Sequence, residues 1–345
     1  MTQRTFGAPI GAAITGTGRF VPDDVWTSEM VEARVAEASG GTRLPKGIIH
    51  LAAGVDERRY APAGMASSDL ATRASERALA AAGLSARDID LLIFASASHD
   101  VAEPATANIV QLALGCENAA VVDVKNACNS FLNGLDVAQA FIETGRATRV
   151  LVAAGECLSP TIRWDVGGSA DLSTRLAALT LGDAGAACVV EASVVPERGL
   201  RQGVFESDGT HWELSTVLGG GSRYGAAPEL MFFECSSSKL QQLAVSRLPA
   251  LVNDVLVKLD WTLDDVALVV PHQVSRAVID RIAALVGYPA ERCMVTLDRY
   301  GNTAAASIPF ALDLAIEEGR VGAGDKVLLV GAAAGFSAAV IPLVL

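Results

Sequence analysis

The sequence is poor in the residues that metal centres, nucleic-acid surfaces and membrane spans require. It has only four histidines, His50, His99, His211 and His272. So few, spread so far apart, argue against a multi-histidine metal site and leave few candidates for a general base. None of the six cysteines (Cys116, Cys128, Cys157, Cys188, Cys235 and Cys293) forms a CxxC pair, which leaves zinc and dithiol redox motifs unsupported. Cations are outnumbered, 27 Lys and Arg against 39 Asp and Glu, for a net charge of −12. That balance disfavours a nucleic-acid backbone and an anionic membrane surface as partners. An acidic carrier protein would need a local basic patch. No apolar run of membrane-spanning length stands clear of glycine and polar residues, and the N-terminus lacks a basic segment followed by an apolar core. The chain is therefore expected in the cytoplasm, with reduced thiols. "GTGRFV" at Gly16–Val21 lacks the third glycine of a dinucleotide fingerprint, so its glycines are assigned to a tight turn and no cofactor is expected.

What the sequence does hold is apolar surface. Hydrophobic residues make up 51% and charged residues only 19% of 345 positions, enough for two core-bearing units. Short apolar runs alternate with segments of helical spacing, which reads as α/β. Strands are expected at Ala12–Gly16, Leu91–Ala95, Ala120–Val124, Val150–Ala154, Ala186–Glu191, Leu268–Val270, Lys326–Gly331 and Ala338–Leu343. Helices are expected at Ser28–Ala38, Ser68–Ala82, Thr106–Leu114, Asn129–Thr144, Leu240–Lys258, Ser275–Val286 and Ala304–Glu318. "SARDIDLLIFASASHD" and "TLDDVALVVPHQVSR" share one order of helix end, acidic turn, apolar strand and polar tip. "ATRVLVAAGE" and "GDKVLLVGAA" match in kind. Two copies of a βαβ-rich unit, 1–195 and 196–345, would stack as five α/β/α/β/α layers.

In "VVDVKNACNSFLNGLDVAQAF", Val121–Phe141, an apolar strand gives way to a helical pattern with Cys128 at the join. Exposed N–H groups and the positive end of the helix dipole would favour a thiolate there. A small buried thiol is the ordinary alternative. Two distant segments add chemistry. "VVPHQVSR" sets His272 just past a strand, and "YGNTAAASIP" sets Asn302 between a glycine and a helix. A nucleophilic cysteine needs a partner that handles protons near neutral pH, and an asparagine amide offers an N–H to a developing oxyanion without adding charge.

Through these three segments the sequence resembles the ketoacyl-ACP synthase III group of thiolase-fold condensing enzymes. "AGVDERRY" (Ala53–Tyr60), "LGDAGAA" (Leu181–Ala187), "PHQ" (Pro271–Gln273), "TLDRYGNTAAASIP" (Thr296–Pro309) and "GAAAGFSAA" (Gly331–Ala339) have counterparts there in the same order. The resemblance implies the thiolase fold, a homodimer, and acylation of Cys128 by acyl-CoA or acyl carrier protein. It also implies a Cys128–His272–Asn302 triad, and an oxyanion hole from the Cys128 N–H and one N–H of the Ala334–Gly335 turn. "SHDVAEPATANIV" resembles the segment of olefin-biosynthesis condensing enzymes in which a glutamate before proline crosses the dimer as a base. Glu103, at an expected helix start, takes that place. This implies Claisen condensation of two acyl thioesters to a β-ketoacyl product, without decarboxylation. Condensation with malonyl carrier protein, or acyl transfer to an oxygen or nitrogen acceptor, are the alternatives; a heterodimer with a related chain is another. The positions of the usual CoA adenine clamp hold Ile48 and Asp56. Arg58, Arg59 and Arg276 are candidates to meet a phosphate, and Phe336 to contact substrate. Trp164, Trp212, Phe205 and Phe232 are candidates to line an acyl tunnel.

Overall fold

The computed structural model describes residues 11–195 and 197–345. The first ten residues of the amino-terminal half, with the sequence reading of that terminus, and Pro196 lie outside the described residues. Two mixed five-stranded sheets carry the fold. In the first, the strands run in the order Gly11–Phe20, Ala184–Ser193, Arg149–Glu156, Leu91–Ala95, Ala120–Val124. In the second, Val266–Pro271 is followed by Lys326–Ala333, Ser337–Val344 and Gly199–Leu200, with Val204–Ser207 also pairing Ser337–Val344.

The repeat is legible in the pairing. Leu91–Ala95 runs parallel to Arg149–Glu156, which pairs antiparallel with Ala184–Ser193. Val266–Pro271 runs parallel to Lys326–Ala333, which pairs antiparallel with Ser337–Val344. Even the outer strand Ala120–Val124 has a trace of a counterpart, a parallel bridge from Val269 to Cys293. The helices Ser130–Glu143 and Ser307–Glu317 lie between the sheets, and one apolar cluster joins both helices to both sheets, from Ile93 and Phe131 to Phe310 and Leu329. Ser67–Ala82 and Thr106–Leu114 cover the outer face of the first sheet, Ser237–Leu259 and Arg276–Val286 that of the second. Strands buried on both faces read as unbroken apolar runs, which is why Leu91–Ala95 shows no alternation.

Local chemistry sets the element ends. Asp69 accepts the Ala66 N–H at 2.8 Å and starts Ser67–Ala82; Gly83, at φ +67°, ends it. Asp123, on the outer strand, accepts the N–H groups of Thr106 and Ala107, both at 2.8 Å, and so fixes where Thr106–Leu114 begins. That start lies three residues beyond Glu103, so Glu103 belongs to the loop rather than to the helix start. The expected helix over 304–318 is a short 3₁₀ turn at Ala304–Ala306 followed by Ser307–Glu317. Gly16 and Gly18 are not in a turn. They lie within the long strand Gly11–Phe20, where a Cβ would stand 2.3 Å from the Ala78 carbonyl and 2.4 Å from that of Ala74. Glycine is used there because strand and helix backbones touch.

Candidate active site

Cys128 sits in the turn between Ala120–Val124 and Ser130–Glu143. Hydrogen bonds hold the turn shut. Ser130 Oγ accepts the Asn126 N–H at 2.8 Å and donates to the Ala127 carbonyl at 2.7 Å, while the Asn129 N–H reaches the Asn126 carbonyl at 3.0 Å. Ala127, just before the cysteine, is held at φ +46°, a region costly for a residue with a Cβ. The thiolate expected from the helix dipole is not what the site favours. Burial, then the nearby charge of Glu156, pushes the Cys128 thiol up to about 12, although its own N–H and that of Ala334 act in the opposite direction. Desolvation outweighs the dipole, although the residue keeps some surface.

The second sheet brings the other groups. His272 follows the last residue of Val266–Pro271, and its N–H donates to the Val330 carbonyl at 2.8 Å. Its Nδ1 is 2.7 Å from Ser307 Oγ. Burial lowers its pKa to about 4, so the ring is neutral near pH 7. Asn302 is pinned through its backbone to Thr180 and Gly182, and its Oδ1 accepts the Ala304 N–H at 2.9 Å. The amide NH₂ stays available as a donor. Ala334 begins the turn between Lys326–Ala333 and Ser337–Val344, and its N–H acts to lower the Cys128 pKa. Asn129, next to Cys128, donates from Nδ2 to the Ser337 carbonyl at 3.0 Å and to Ser337 Oγ at 2.9 Å, which ties that turn to the Cys128 turn. Loops from both sheets thus carry a thiol, a neutral imidazole, a carboxamide donor and a backbone N–H.

Comparison with known proteins shows the family of the chain. Residues 122–209 match the family 3-oxoacyl-[acyl-carrier-protein (ACP)] synthase III, and residues 256–343 match its C-terminal family. The chain is 38% identical to a β-ketoacyl-[acyl-carrier-protein] synthase III of Roseiflexus castenholzii, over 92% of this chain and 93% of that one. It belongs to the synthase III family. Among solved structures, the synthase III of Aquifex aeolicus superposes with a TM-score of 0.85 at 30% identity, covering 97% of this chain and all of that one. Cerulenin-bound OleA of Xanthomonas campestris superposes with a TM-score of 0.86 at 27% identity, covering 99% and 100%. The protein is a thiolase-fold condensing enzyme of the acyltransferase class, and its reaction is a Claisen condensation of acyl thioesters.

The remaining candidates named from the sequence stand elsewhere in this synthase III chain. Arg58 is fully buried; it bonds Ser28 Oγ at 3.0 Å and the Leu179 carbonyl at 2.9 Å, which leaves it no surface for a phosphate. Arg59 pairs with Glu57 at 3.0 Å. Arg276 is exposed, its Nε shared by both Asp280 oxygens at 2.9 and 3.0 Å. Phe336 is fully buried in the carboxyl-half core at φ +23° and anchors the Ala334 turn instead of lining open space. Trp164 packs on Trp26, ring centroids 5.9 Å apart, in an apolar cluster of the amino half. Trp212 and Phe205 are partly exposed, and Phe232 lies beneath Arg163. Glu103 is exposed on its loop. Sequence reasoning missed Asn129, Ser307, Gln273 and Glu156. Gln273, next to His272, is fully buried and bridges Pro271 and Met294 to Thr296 and Leu297. Its place in "PHQ" was the signal available. Among the described residues, no group of three or more His, Cys, Asp or Glu side chains could hold a metal, and no helix is long and apolar enough to cross a membrane.

Proposed function

We propose that this chain joins two acyl thioesters head to tail without decarboxylation, with Cys128 as nucleophile and Glu103 of the partner subunit as base. The observation that carries the reading is the pairing of a Cys128 whose thiol is pushed up to about 12, near the Ala334 N–H, with an exposed glutamate next to an open sheet edge. In the first half-reaction, the Cys128 sulfur attacks the thioester carbonyl. The oxyanion is held by the N–H groups of Cys128 and Ala334. The carrier thiolate leaves with the proton that Cys128 gives up, and neutral His272 is able to carry it between them. In the second, a carboxylate takes an α-proton from another acyl thioester. The enolate oxygen rests on His272 and on the Asn302 NH₂, and its carbon attacks the acyl-Cys128 carbonyl, releasing the Cys128 sulfur.

A glutamate that works in trans requires a dimer. The outer strand Ala120–Val124 is only partly covered, Val122 is 38% exposed, and Leu112 on the adjoining helix is 84% exposed. An open strand edge with apolar neighbours favours pairing with a second copy. That pairing would bring the Glu103 loop, which precedes the helix capped by Asp123, towards the partner. We place the enzyme in the cytoplasm, acting on acyl-CoA or acyl carrier protein. The names of the curated relatives favour a second reading, condensation on a carrier protein by a malonyl extender. Mass spectrometry of the pure protein with long-chain acyl-CoA alone separates them. Release of CoA with a two-chain β-keto acid, or its ketone, supports the first reading. An acyl-Cys128 that goes no further supports the second.

A further inference from the structure

Glu156 ends the strand Arg149–Glu156 with no exposed surface and, among the described residues, no cationic partner. An unpaired buried carboxylate is costly, so its contacts should account for it. They come from three places. Oε1 accepts the Ala97 N–H at 2.8 Å and the Ala305 N–H at 3.2 Å. Oε2 accepts the Ser98 N–H at 3.1 Å and the Ser98 hydroxyl at 2.7 Å. Ser98 Oγ already accepts from Ser67 Oγ at 2.9 Å and from the Cys157 N–H at 3.2 Å, which uses both its lone pairs. Its hydroxyl is shared between Glu156 and the Gly155 carbonyl, 3.0 Å away. Burial raises the pKa of the acid, and the three N–H donors from Ala97, Ser98 and Ala305 act in the opposite direction.

We propose that Glu156 is a positioning residue whose carboxyl group binds the Asn302 loop and the Ala97–Ser98 loop into one frame beside Cys128. Ala305 follows Asn302 by three residues and precedes Ser307, the partner of His272, by two. The hold on Ala305 thus sets where the Asn302 amide and the imidazole stand. Ala97 and Ser98 open the loop that carries Glu103. The carboxylate acts on the sulfur as well. Glu156 and Cys235 are the titratable neighbours that raise the Cys128 thiol, and Glu156 also raises Cys157 at its side, together with Asp183, Asp100 and Asp69. His272 is neutral and adds no charge. A thiol kept protonated is protected from oxidation and alkylation until an acyl thioester arrives.

The inference rests on the reading of Cys128 as nucleophile, and two substitutions test it. Glu156→Gln keeps the size and removes the charge; its NH₂ must face one of the N–H donors, so one loop is released. Glu156→Asp keeps the charge but falls one methylene short of Ala305. Iodoacetamide alkylation of Cys128, followed by mass spectrometry across pH, should run about tenfold faster at pH 8 in the Gln variant, as expected when a neighbouring charge is removed, and stay slow in the Asp variant. Condensation should fall by about 100-fold in both, with the acyl-Cys128 adduct still forming, because misplaced groups cost the second step most. A purely structural role would lower thermal stability and both half-reactions together, and leave the alkylation profile unmoved. Coincident profiles for parent and Gln variant would overturn the proposal. If the Gln variant does not fold, condensation by the Asp variant within about twofold of the parent overturns it equally, since the steep dependence of rate on position would be missing. If instead the parent itself forms no Cys128 adduct, the underlying reading has failed and not this one.

Discussion

Cys128 keeps its proton although it stands at a helix start. With Cys128 as the proposed nucleophile, catalysis would come from positioned donors and not from a standing thiolate. Cys128→Ala should abolish the acyl adduct, seen as the absence of added acyl mass on the intact protein. Glu103→Ala should retain the adduct and lose condensation of unactivated chains by about 100-fold or more, the usual scale for a general base. Condensation that persists in that variant would remove Glu103 from the mechanism. His272 gives a stability prediction. Its folded pKa, about 4, lies below the ordinary 6.5. The unfolded chain therefore binds the extra proton first as pH falls, and stability is lost between about 6.5 and 4. His272→Asn should flatten that part of the curve. By urea unfolding, the pH-dependent difference between parent and variant should approach about 3 kcal/mol at the acid end.

At the scale of elements, the site depends on how strand tips meet helix starts. Glu156 and His272 each stand at or just beyond the end of a strand; Ser130 and Ser307 each open a central helix. The close approach of Gly11–Phe20 to Ser67–Ala82 is part of the same frame, since Ser67 contacts Ser98 and Ser98 contacts Glu156. Gly16→Ala would drive a methyl group into the Ala78 carbonyl. Backbone on both sides cannot give way easily, so we expect a loss of about 1–3 kcal/mol, the range for overpacking. Thermal unfolding should show it as a lower midpoint, with the acyl adduct still forming at low temperature.

For the whole molecule, the decisive question is whether each site is completed by a second copy. Mixing Cys128→Ala with Glu103→Ala protomers offers a direct answer. If the base acts in trans, half of the mixed dimers' sites hold both an intact Cys128 and an intact glutamate from the partner. Random exchange into symmetric dimers should then restore about a quarter of parental condensation. No recovery, with subunit exchange verified by native mass spectrometry, would place the base within one protomer or remove it from the chemistry.

Sequence periodicity determined much of this protein. The strands Leu91–Ala95 and Ala120–Val124 and the helices Ser28–Ala38 and Thr106–Leu114 have the ends that their residues predicted. Apolar runs and caps act over a few residues, so they are readable locally. The join that carries Cys128, and the strand tip that carries His272, were legible for the same reason. Only the tertiary structure decided what those groups became. The dipole expected to ionise Cys128 is outweighed by burial and by Glu156, a residue 28 positions away in sequence that no local pattern distinguishes. Arg58, a phosphate candidate by its charge, is sealed inside by contacts with Ser28 and Leu179. Gly16 and Gly18, taken for a turn, mark a contact between backbones. Burial and charge proximity are properties of segments brought together by the two sheets, and those distances are set only when the chain has folded.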